Sequence, residues 1–190
     1  MGTELVSLSL LNSIYGKLRT GNYYTSTLRS RRAVAIYDDY PANILWAHPI
    51  VLPRPITIDR IGINVAAAGA AGAAARIGIY NDGTNVYPGT LLLDAGAVAC
   101  TGTGDKVITI SQSLQAGIYW LAMVSNDATI DFSYIGDQFQ SILGGAGLDS
   151  DYGGGWEVAQ AYGALPDPFT AGGTMRTYLG AVQVRVLSLD

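Results

Sequence analysis

Few side chains in this sequence could carry out a reaction. Its 190 residues include one histidine, His48, and one cysteine, Cys100. A histidine acting as general base needs a nucleophile or carboxylate within hydrogen-bond reach. His48 stands beside Pro49 in an apolar run that offers neither, so it reads as a structural or interfacial residue. Cys100 has no further cysteine, and no nearby histidine, with which to build a protease pair or a zinc site. A single cysteine also leaves no intrachain disulfide, so stability must come from packing and hydrogen bonds. Gly144-Gly145-Ala146-Gly147 lacks the Lys-Ser/Thr ending of a phosphate-binding loop. Asp149-Ser150-Asp151 sets carboxylates at alternate positions, as a calcium loop does, but no later acidic ligand follows at EF-hand spacing. No pair of carboxylates stands out for glycoside cleavage. The expectation is a protein that is not an enzyme, with no catalytic residues, no cofactor and no metal.

Side chains suited to binding are more plentiful. There are 12 tyrosines and 3 tryptophans. Tyr152, Trp156 and Tyr162 fall in or near a glycine-rich loop and are candidate glycan-binding residues, because exposed aromatics stack on sugar rings or anchor a protein partner. The alternative is that they plug the end of the fold. Ahead of Tyr37, Lys17, Arg19, Arg29, Arg31 and Arg32 are opposed only by Glu4, whereas the whole chain has a formal net charge of −4. Such a segment either docks on an acidic partner or is a solvated loop; no direct nucleic-acid role is expected. Leu8, Leu11, Tyr15 and Leu18 form an apolar stripe at helical spacing, while Val6-Ser7-Leu8-Ser9-Leu10 alternates as a strand does. In either conformation the segment exposes leucines that need a partner. Residues 1–40 therefore read as an extended or helical arm for anchoring or oligomerisation, with Leu5, Leu8, Leu11, Leu18, Arg29, Arg31 and Arg32 as its partner-binding residues.

The elements that must position these residues are strands. From Ile56 to Val124, segments that alternate or are rich in β-branched and aromatic residues are fenced by Gly, Pro, Asn and Asp. Ile56 and Ile58 share one parity and Ile61, Ile63 and Val65 the other, so a bulge at Arg60-Ile61 is needed to bring all five to one face. Pro49 confines the strand around Ile44–Val51 to an edge or a strand end. Ala66 to Ala75 reads as a loop. Asn81-Asp82-Gly83 is a turn, and Pro88-Gly89 suits a type II turn. Ile118 to Val124 is apolar on both faces and should lie centrally, covered on both sides. Eight to ten short strands make residues 41–190 an all-β, jelly-roll-like antiparallel β-sandwich.

Only 14% of residues are charged, against about 25% in an average domain, which suits an exterior that meets other proteins. No run of 18 or so apolar residues spans a membrane, and no signal peptide is read at the N-terminus.

The runs Pro55–Ile63, Ala75–Gly83, Tyr87–Gly96 and Leu114–Ala122, with Ala161-Tyr162-Gly163-Ala164-Leu165-Pro166 and the valine-rich end, resemble a β-sandwich module of tailed-bacteriophage structural proteins. The resemblance covers roughly Ala42 to Val186. It implies a virion surface protein, either a capsid decoration or head fibre or a tail fibre component, whose partners are other virion proteins. The arm adds the expectation of a homo-oligomer, a trimer among its forms, and the aromatics of the Gly144–Tyr162 region give host attachment through a surface glycan as the alternative role.

Overall fold

Five aliphatic residues of changing parity, Ile56, Ile58, Ile61, Ile63 and Val65, are all buried. In the computed structural model they belong to one strand, Ile56–Ala67, and the phase is corrected by an irregularity between Ile58 and Arg60. Asp59 lies at the break: against β12 it is the extra residue, because Ile58 and Arg60 pair with the consecutive Val186 and Arg185, whereas on β7 two residues, Ile110 and Ser111, stand opposite it between Gln112 and Thr109. The bulge expected from parity is present, one residue earlier than Arg60-Ile61.

The structure describes residues 18–25, 34–37, 40–135, 142–144, 153–176 and 182–190. Its strands are β1 (Tyr23–Tyr24), β2 (Val34–Tyr37), β3 (Ile44–Leu52), β4 (Ile56–Ala67), β5 (Ala74–Asp82) and β6 (Pro88–Ala99). They continue with β7 (Gly104–Leu114), β8 (Gly117–Ser125), β9 (Asp131–Ile135), β10 (Gly155–Ala159), β11 (Thr174–Arg176) and β12 (Gln183–Leu189). All pairings are antiparallel, and among the described residues there is no helix.

Two sheets result. In the first, β7 takes one edge of β4, while β12 and then β9 follow one another along its other edge; β1 extends β12 and β2 extends β9. The second runs β11-β10-β3-β8-β5-β6. From β3 to β9 the chain changes sheet at each connection except the β5–β6 hairpin, the wrapping expected of a jelly-roll-like sandwich. β8 lies centrally, between β3 and β5, as its two apolar faces require. Pro49 sits on β3 opposite Trp120 of β8, past the reach of β10, which pairs only with Ile44–Ala47. Its missing N–H therefore interrupts no β10 ladder.

Two expectations change. Pro88-Gly89 is not a turn: it opens β6, and the reversal is Gly83–Tyr87, closed by Gly83 N–H donating to Tyr87 O at 2.8 Å. Within it Asn85 and Val86 have φ of 58° and 54°. Ahead of residue 40, two stretches are woven into the sandwich. β1 pairs with β12 and β2 with β9 of the same chain, and Leu18 is buried in the inter-sheet core. The last leucine of the expected stripe thus meets its own sandwich.

Candidate functional site

The second sheet has two buried faces. Residues of one parity, including Trp46, Ile50, Ile77, Ile79, Leu121 and Met123, face the first sheet. Residues of the other parity, Leu45, Ala47, Tyr80, Trp120, Ala122 and Val124, form a separate apolar cluster with Leu165 and Phe169. Those last two come from the segment 160–173, a strap without regular structure that lies across the outside of the sheet. Gly78 lets it sit close: a β-carbon there would collide with the Leu165 side chain and the Leu93 carbonyl.

Polar groups fasten the strap. Tyr80 Oη donates to Pro166 O at 2.9 Å. Tyr87 Oη donates to Thr170 O at 2.6 Å and accepts the Gly173 N–H at 2.9 Å. Asp167 Oδ1 accepts the Leu91 N–H at 2.9 Å, and Gly89 O accepts the Phe169 N–H at 2.9 Å. Asp94 takes Arg76 Nε–H at 2.8 and 2.9 Å and the Leu165 N–H at 3.1 Å. Trp120 Nε1 donates to Asp82 at 2.8 Å. Burial, reinforced by the negative charges of Asp94 and Asp167, pushes the Tyr80 phenol well above its ordinary value, so it stays a donor.

The expected aromatic site divides on this scaffold. Trp156 Nε1 donates to Val86 O at 2.9 Å, and its ring lies 5.0 Å from that of Tyr87. This bond holds a β-branched residue in the left-handed region, where it is disfavoured. Tyr162 is half-buried against the same cluster, and its N–H donates to Asn43 Oδ1 at 2.9 Å. Burial raises its phenol. Both side chains thus help roof the sheet; Tyr152 lies outside the described residues. So do Leu5, Leu8, Leu11, Arg29, Arg31 and Arg32 of the arm, and Asp149-Ser150-Asp151.

The two reactive residue types are built into the packing. His48 is 1% exposed on β3; its Nε2 lies 2.9 Å from Thr25 Oγ1 and 3.2 Å from Val182 O. A carbonyl only accepts, so the proton sits on Nε2 and Thr25 shares it. Burial lowers its pKa from 6.5 to about 4, against a smaller upward pull from the Val182 carbonyl. Cys100 is fully buried, and desolvation pushes its thiol up. Among the described residues no three His, Cys, Asp or Glu side chains are grouped as metal ligands require, and no helix is long and apolar enough to cross a membrane.

The first sheet's outer face is polar and uncovered by the strap. Arg185 holds Asp59 in a two-pronged ion pair, which keeps the carboxyl below its ordinary range. Asn64 bridges Asp105 on β7, at 2.6 Å, to Ser133 on β9, at 2.6 Å. Sequence reasoning passed over both the strap and this face. The strap's only local signal was Phe169 among the prolines 166 and 168. No family model, curated protein or solved structure matches the chain.

Proposed function

We propose that this chain is a non-catalytic structural protein on the surface of a tailed-bacteriophage particle, as a capsid decoration or head fibre or as a tail fibre component. The observation that carries the reading is the use of its chemistry-capable side chains as structure. His48 and Cys100 are buried, and Tyr80, Tyr87 and Trp156 bond to the backbone of their own domain. Such a domain acts by rigidity and adhesion. The resemblance of Pro55–Gly96 and Leu114–Ala122 to the phage module supports the assignment; these runs supply β4, β5, β6 and β8. Attachment is assigned to the segment ahead of Leu18, which carries Leu5, Leu8 and Leu11, with Arg29, Arg31 and Arg32 adding charge-assisted contacts.

An antibody against the sandwich should label purified tailed particles released by cells that carry the gene. A chain lacking residues 1–17 should fold but no longer copurify with those particles. Unlabelled particles, or particles that keep the shortened chain, would reject the assignment. Glycan binding abolished by Trp156→Ala would favour a host-attachment adhesin instead.

A further inference from the structure

Sheet edges expose unpaired N–H and C=O groups, and proteins blunt them by shortness, bulges, prolines or charge. Four of the edge strands described here are blunted. β1, β2 and β11 have two, four and three residues, and β6 departs from regular register with β5 at three places. β7 differs. It has eleven residues, pairs with β4 along one side, and has no partner along the other among the described residues. Its only charges, Asp105 and Lys106, lie at its start, and Val107 to Leu114 contains no charge, proline or glycine. In its pairing with β4, Ile110 and Ser111 stand opposite the single residue Asp59, the one departure from regular register along β7, and its half-buried and exposed residues alternate without a break from Gly104 to Ser113.

We propose that β7 pairs antiparallel with β7 of a second copy of this chain about a two-fold axis at Thr109, joining two sheets into one. An antiparallel edge is self-complementary in its hydrogen bonds under such an axis. In this register Thr109 faces Thr109, Val107 faces Ser111, Asp105 faces Ser113 and Lys106 faces Gln112, so no like charges meet. The exposed row Asp105, Val107, Thr109, Ser111 and Ser113 continues as one outer face, and Ile108 meets Ile110 on the inner one. Beside this edge, Leu92, Leu93 and Val98 of β6 and Ile108 and Ile110 of β7 are only partly buried against the core. A second copy brings the same residues alongside and covers them. The pairing does not depend on the particle role proposed above.

Sedimentation of the full chain tests it. The wild type should run at twice the mass of the 20.0 kDa chain. Thr109→Lys and Thr109→Asp, at an exposed position, should each halve that mass with unchanged circular dichroism, because like charges face each other at the axis. An equimolar mixture of the two should restore it. A wild type of one-chain mass at every concentration, variants that keep the wild-type mass, or a mixture that fails to reassociate would each overturn the proposal.

Discussion

The two outward faces of the sandwich are built on opposite plans. The second sheet's face is a core in its own right, with Trp120 and Tyr80 fully buried beneath the 160–173 strap. The first sheet's face is a lattice of exposed or half-exposed polar pairs, among them Thr57–Ser113, Asn64–Asp105 and Arg185–Asp59. Apolar burial is worth roughly 25 cal/mol per Å², whereas exposed ion pairs contribute about 0–1 kcal/mol. The roofed face should therefore stabilise the domain, and the bare face should be free to change with what it touches.

That contrast can be broken most directly at Trp120. Trp120→Ala should cost about 3–5 kcal/mol, as for large aromatic truncations in a core, read as a drop in the urea midpoint. A loss below about 1 kcal/mol would reduce the strap to decoration.

Acid probes the layer between the faces. His48 is held neutral by burial and takes up a proton far more readily once unfolded. Its contribution should be complete above pH 6.5 and fall as pH drops, levelling off near pH 4. The drop from 6.5 to about 4 corresponds to about 3 kcal/mol. His48→Gln should remove this part of the slope in urea unfolding measured between those pH values; an unchanged slope would assign it to other groups.

The smallest effect is expected on the bare face. Asn64→Ala removes two surface hydrogen bonds and should lower stability by about 1 kcal/mol or less. A loss as large as that at Trp120 would mean that the two faces do not differ as described.

The inner architecture was legible because local pattern encodes it. The parity conflict between Ile58 and Ile61 demanded a bulge, and the doubly apolar run Ile118–Val124 demanded a central strand with cover on both sides. The nature of that outer cover was not legible. It depends on Tyr80 reaching Pro166 and Asp94 reaching Leu165, contacts 86 and 71 residues apart, between segments that read locally as a strand and a proline-punctuated loop. For the same reason Trp156 and Tyr162 read either as exposed ligands or as plugs. Leu18 read as part of an arm because its partners are the distant strands of the core.

The bulge at Asp59 also bears on how this sequence can change length. It sits opposite irregularities in both ladders of β4, and the Arg185 guanidinium that grips Asp59 lies at the matching step on β12. Most positions on a strand guard the type of residue they hold. Between Ile58 and Arg60 what matters is the number of residues: with one fewer, Ile56, Ile58, Ile61, Ile63 and Val65 would share a single parity, a regular strand would hold all five in oil, and the step between Arg185 and Val186 would lose its irregularity.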